Sequence, residues 1–291
     1  MRVGPKGVNI ATSRLSPAAV GRGFHLSMAW LVTFLFILPV YIAFSNTFKT
    51  QAQILDGPLE LPAPFTTDNV TDAWNRSDRL VQDGLINSVL ITVITVSIII
   101  PLASAVSLYL HQSRPALRRI LTAILALGLM VPPQVSLQPI VLLLQEIHLN
   151  NSRTGLILAN IGGGYLSFAT FVYMGFISSI PRDILDAARV DGASDLRIWW
   201  KILLPLLRPA TATVAIFVGL WSWNDFLNPL FIIGPLDGVT ITTGIYITLG
   251  GFSVDFAHLF GVMFIAAVIP IIGYLATQRE FISGLMKGAT E

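Results

Sequence analysis

Few residues of this chain have the types and spacing to do chemistry, and those few do not converge. There is no cysteine, so thiol nucleophiles, disulfides and thiolate metal sites are excluded. The four histidines, His25, His111, His148 and His258, fall at the ends of separate apolar stretches, which argues against a shared metal site. No G-x-x-x-x-G-K-[ST] run occurs, so the chain lacks the phosphate-cradling loop needed to hydrolyse ATP by itself. No acid and base stand together either, and the chain reads as non-catalytic. What remains is one acid deep in an apolar stretch, a few amides, and a charged island at 178–209.

Asp225 is that acid, with Trp223, Asn224 and Asn228 beside it. Counting from Pro209 at ~1.5 Å per residue places it roughly 24 Å from the cytosolic end, in the outer part of a core about 30 Å thick. An intramembrane acid is costly and normally faces a cavity or a partner. Asp225 therefore either lines a pore or gate, or holds a neighbouring helix near the interface. Gln134 and Gln138 lie one turn apart in a proline-interrupted stretch, and such broken helices line cavities or pack inside protein. Asn87, Asn160 and Tyr165 complete the polar set. Each of these either contacts a substrate or hydrogen-bonds one helix to another.

The elements that must carry these residues are apolar. Hydrophobic residues make up 54% of the chain and charged ones 12%, against about 25% in soluble domains. Six stretches are long enough to span a bilayer, which takes about 20 apolar residues. They run at about 24–48, 85–110, 120–145, 156–177, 209–233 and 259–277, and all would be helices, since open strand edges cannot be satisfied in lipid. The chain is thus expected to be an all-α membrane protein. Residues 1–23 form an N-terminal segment, 24–277 the six-helix domain and 278–291 a tail. With the N-terminus in the cytosol, 14 of the 18 Lys and Arg fall inside, leaving Lys49, Arg76, Arg79 and Arg153 outside. Both termini are then cytosolic. The outer loop from Thr50 to Gly84 is acidic and proline-rich, and either docks a delivery protein or is a solvated connector with one short helix.

The island carries its own folding signals. Ser179 and Pro181 suit a helix start, with Asp183 favourable to the dipole in the first turn. Gly192 supplies a positive φ to end that helix near Val190 or Asp191. Ser194 can cap a second helix with Ile198, Trp199, Ile202 and Leu203 on its apolar face, and Pro205 breaks it at the membrane surface. Such a pair either lies on the headgroups, with Trp199 and Trp200 as anchors, or presents the bald Ala187–Ala188 surface as a knob to another protein.

The run Asp186-Ala187-Ala188-Arg189-Val190-Asp191-Gly192-Ala193-Ser194, with Ile202-Leu203-Leu204-Pro205 following, resembles the EAA motif of permease subunits in binding-protein-dependent ABC importers. That motif reads roughly E-A-A-x-x-x-G, nine residues, then I-x-L-P. Asp186 departs from it, standing where the family usually has Glu. Ile86-Asn87-Ser88, Trp223-Asn224-Asp225-Phe226-Leu227 and the tail from Gln278 to Leu285 are similar to the carbohydrate branch, in particular the smaller permease of the maltose system. The resemblance implies a type I ABC importer permease fold, with a cytosolic coupling helix (loop 179–208) between spans four and five. It implies ATPase coupling through Asp186, Ala187, Ala188, Asp191, Gly192, Ala193 and Pro205. The working complex would hold a second permease subunit, two nucleotide-binding ATPase subunits carrying ATP and Mg, and an extracytoplasmic substrate-binding protein. It would sit among membrane lipids, in a bacterial or archaeal plasma membrane, and need neither nucleic acid nor a cofactor in this chain. The implied cargo is a sugar or small oligosaccharide moved by alternating access. A polyamine or a phosphate ester is the alternative within the class. A secondary transporter working without an ATPase would call for ionisable groups near the midplane, and Asp225 sits off-centre.

Overall fold

The structure, a computed structural model, describes residues 17–234, 239–250 and 255–288, and among these every regular element is helical. The first, α1 (Pro17–Thr47), leaves Trp30, Phe34 and Phe36 exposed, as suits a helix bordering lipid. The outer loop folds into two short helices, α2 (Gln51–Asp56) and α3 (Asp68–Trp74), where one was expected. α2 is closed by a capping box in which Thr50 and Gln53 satisfy each other's backbone N–H groups. The long α4 (Leu80–Gln112) is the central post.

The third apolar stretch is broken, as Pro132 and Pro133 suggest. α5 (Pro115–Met130) and α6 (Pro133–Glu146) meet at 102°. The fourth comprises α7 (Arg153–Asn160), a π-helical turn (Ile161–Tyr165) and α8 (Leu166–Ser178). Gly163 departs from helical geometry inside that turn, at φ −86°, ψ −159°. The island forms α9 (Arg182–Val190) and α10 (Asp195–Ile198), then a second π turn (Trp199–Leu203) and α11 (Leu204–Leu206).

Two expectations need correction here. Pro205 does not break the island's second helix. It sits near the start of α11, where a missing N–H is tolerated, and the 79° bend comes two residues later at Leu207. The fifth stretch is also not one helix. α12 (Arg208–Asn224) ends at Asp225, and α13 (Leu227–Ile232) begins beyond it. Next among the described residues comes α14 (Ile241–Leu249), a helix that lies between the fifth and sixth apolar stretches. The last helix, α15 (Phe256–Gly288), runs through the expected boundary at 277 without a break. Among the described residues four helices are long and apolar enough to cross a membrane unbroken, and two bent pairs bring the number to six.

Buried apolar residues gather in three clusters. The first joins α4, α8 and α12 to α9, α10 and the second π turn, through Ile99, Tyr173, Leu185, Ile198, Leu203 and Val214. The second lies under α3 and α14, and the third links α6, α7 and α13 to Ile91 of α4. In lipid, close packing and interhelical hydrogen bonds must hold such helices, because the chains around them are as apolar as leucine. The first cluster has both. Ser107 Oγ is 3.0 Å from the Thr170 carbonyl, and the Tyr173 hydroxyl is 3.0 Å from Thr211 Oγ1.

Candidate functional site: a docking knuckle joined to a cleft

The turn of the island is built as its sequence suggests. The Ala193 N–H donates to the Ala188 carbonyl at 3.0 Å and the Gly192 N–H to that of Arg189 at 2.9 Å, with Gly192 at φ +78°. This is the paired closure of a Schellman motif, which needs a residue free to adopt positive φ at that position. Ser194 Oγ then accepts the Arg197 N–H at 3.4 Å, capping α10. Arg189 reaches back to Asp186 at 3.0 Å and across the turn to Asp195 at 3.7 Å, bracing both arms.

The two alanines do not share a bald surface. Ala187 is exposed, whereas Ala188 is buried beside Leu185 in the first cluster, one residue being enough to rotate it onto the inner face. The outward apolar groups are instead Val190 and Leu196, 87% and 70% exposed at the tip of a charged unit. Asp191 is exposed and Ala193 packs against the cluster, so the motif residues divide between tip and root. Trp199 is not a headgroup anchor either. Its indole N–H donates to Ser104 Oγ of α4 at 3.1 Å, while its neighbour Trp200 is exposed.

A cleft of about 850 Å³ lies where three broken elements meet. Its wall includes Val131 and Pro133 from the α5–α6 bend, Gly162 to Gly164 from the first π turn, and Asn224 to Asn228 from the α12–α13 break. Six of the nine residues singled out in the sequence line it: Gln134, Asn160, Tyr165, Asn224, Asp225 and Asn228. The carboxylate of Asp225 accepts the Asn228 N–H at 3.3 Å and its side-chain amide at 2.7 Å, so it holds the first turn of α13. Its carbonyl accepts the Thr242 hydroxyl at 2.7 Å, tying the break to α14.

The other three are elsewhere. Trp223 is buried in the second cluster with Ala73 and Val262. Asn87 is buried and donates to the Val239 carbonyl at 2.9 Å. Gln138 does not line the cleft. The aromatic wall is Trp221, packed edge-on against Phe168 at 4.6 Å and tilted over Tyr165 at 5.8 Å. Within α12 the helical spacing i, i+3 puts Trp221 and Asn224 on one face, and the break after Asn224 then brings Asp225 and Asn228 to the same cleft. Asn160 also lines the cleft, and its buried Oδ1 has no hydrogen-bond partner.

Residues 97–279 match the family of binding-protein-dependent transport system inner membrane components. The chain belongs to that family. The permease is 29% identical over 269 residues to the probable starch degradation products transport system permease protein AmyC of Thermoanaerobacterium thermosulfurigenes, covering 92% of this chain and 94% of that protein. It is 32% identical over 270 residues to the multiple sugar-binding transport system permease protein MsmG of Streptococcus mutans, covering 88% and 92%. Among solved structures, a bacterial ABC transporter involved in importing the acidic polysaccharide alginate superposes with TM-score 0.75 at 21% identity, over 93% of this chain and 99% of that one. The fold is that of a type I ABC importer permease, and the chain is a multi-pass membrane subunit of a binding-protein-dependent importer.

Proposed function

We propose that the permease forms half of a translocation path for a neutral sugar or small oligosaccharide, opened and closed by a separate ATPase bound to the knuckle. One observation carries this reading. A single packed cluster runs from the root of the knuckle, at Leu185 and Ile198, to Tyr165 and Leu166 at the cleft wall. A push on the tip would therefore reach the cleft through close-packed side chains rather than through a hinge. The exposed Val190 and Leu196 give an ATPase something apolar to grip, and Asp186, Ala187, Asp191 and Gly192 surround them. ATP and Mg belong to that partner.

The cleft lining favours neutral cargo within the class. It pairs Trp221 and Tyr165 with the amides of Gln134, Asn224 and Asn228, and among the described residues it holds one carboxylate and no Lys, Arg or His. Apolar walls with a few polar groups orient a hydroxyl-rich ligand, whereas a phosphate ester would meet Asp225 with no cation to offset it. A second permease subunit closes the path, an extracytoplasmic binding protein delivers the cargo, and both termini face the cytosol of a bacterial or archaeal cell. The test is purification followed by reconstitution with a sugar-loaded binding protein. A nucleotide-binding ATPase should co-purify, and uptake of labelled oligosaccharide should require ATP. Uptake by the lone subunit would overturn the proposal.

A further inference from the structure

A second pocket, about 620 Å³, opens between the end of α4, the first turns of α5 and α8, on the knuckle's side of the molecule. His111, Arg118 and Arg119 line it, and among the described residues no carboxylate does. Among the described residues neither arginine enters an ion pair, whereas Arg76, Arg79 and Arg189 all do. α5 starts at Pro115 with no side chain capping its first turn, so the positive end of a 16-residue helix adds to the same rim. Thr122 follows Arg118 by four residues, on the same helix face, and its buried Oγ1 has no hydrogen-bond partner.

Ser113 and Pro115 complete that rim, and beyond it the lining changes character. Ala123 and Ala126 lie further along α5, Phe171 and Met174 further back along α8, and all are apolar. A basic rim continuing into an apolar trough along two membrane helices matches one molecule, an anionic lipid, better than it matches a free anion. A soluble phosphate would use the rim and leave the trough unfilled.

We propose that this pocket binds one anionic phospholipid of the leaflet on the knuckle's side. Its phosphate is held by Arg118, Arg119 and the Thr122 hydroxyl, and an acyl chain lies along Ala123, Ala126, Phe171 and Met174. Basic groups near a membrane surface attract anionic lipid individually and additively. The occupied pocket would brace α5 against α8, the helix that leads directly into the knuckle.

Native mass spectrometry of the intact purified complex, titrated with phosphatidylglycerol or with phosphatidylcholine of the same chains, tests this. The wild-type complex should retain phosphatidylglycerol preferentially. The double variant R118Q/R119Q should weaken that retention by about an order of magnitude. Ala126→Trp, which fills the trough and spares the rim, should also reduce it. Unchanged retention in the double variant would overturn the proposal. So would displacement of the lipid by soluble glycerol phosphate with no effect of Ala126→Trp, which would make this a small-anion site. Because the chain has no cysteine, Ala126→Cys supplies a third measurement. Crosslinking of that thiol to the second permease subunit would show a subunit interface in place of a lipid.

Discussion

At Gly192 the backbone holds φ +78°, and nothing lies within 4 Å of where a Cβ would stand. A substitution there meets open space, so its cost is conformational and amounts to roughly 1–2 kcal/mol for an ordinary L residue. Asn tolerates this region better than Ala, and a β-branched residue worst. ATP-dependent uptake should therefore fall in the order Asn, Ala, Val at position 192, with membrane insertion unchanged. Equal activity in all three variants would show that the turn is not what couples. Asp78 supplies a second residue-scale prediction. The hydrogen bond and charge of Arg76, 2.5 Å away, hold its carboxyl at about 2. It also accepts the Leu80 N–H at 3.2 Å at the start of α4. A carboxyl depressed in the folded state contributes stability that is present above pH ~4 and is lost as pH falls toward 2. The carboxylate is half exposed, so screening keeps the effect small. Amide protection at the start of α4, corrected for the intrinsic pH dependence of exchange, should fall as pH drops through that window in the wild type and change little in Asp78→Asn.

Between elements, Gly261 and Ser104 are the contacts most exposed to test. A Cβ at 261 would stand 2.2 Å from the Asn69 backbone oxygen, so Gly261→Ala must push α3 off α15. Asn69 itself donates to the Thr47 and Lys49 carbonyls at 2.8 and 2.7 Å, so α1 would be loosened as well. A loss of about 1–3 kcal/mol is expected, read as a lower melting temperature of the reconstituted complex. Ser104→Ala strands the indole N–H of Trp199 and should cost about 1–3 kcal/mol, lowering ATPase stimulation by the loaded binding protein. These contacts also mark where the sequence stopped being legible. The spans, the Gly192 turn and the Ser194 cap are local events, written in hydrophobic runs and cap residues, and they can be read directly. The break at Asp225 is not local, because its carbonyl is caught by Thr242, 17 residues away. α14 combines both kinds of signal: Thr240 and Thr243 cap its start locally, while Ser88 Oγ of the distant α4 accepts the Ile241 N–H at 2.9 Å. Trp223 is the tryptophan nearest Asp225 in sequence, but the face of α12 that lines the cleft carries Trp221, two residues earlier.

For the whole molecule the decisive question is which side the knuckle faces, because docking, lipid and cargo all depend on it. The three clusters give the chain two ends. The first cluster holds the knuckle at one, and the second holds α3 of the long loop against α14 and α15 at the other. Fourteen basic residues fall on the knuckle's end in the six-span reading, and the four at the far end are mostly engaged within the protein. Lys49 is 1% exposed, with its ammonium donating to the Gly57 and Pro58 carbonyls at 3.0 and 3.2 Å, and Arg76 and Arg79 are paired with Asp78 and Asp83. The absence of cysteine makes the knuckle's side directly measurable. A thiol introduced at Ser194, exposed at the knuckle, should resist a membrane-impermeant maleimide in intact cells and react once the membrane is opened. A thiol at Asp72, exposed on α3, should react in intact cells. The reverse pattern would place the knuckle outside, where no ATP is available to drive it, and the proposed mechanism would fail as a whole.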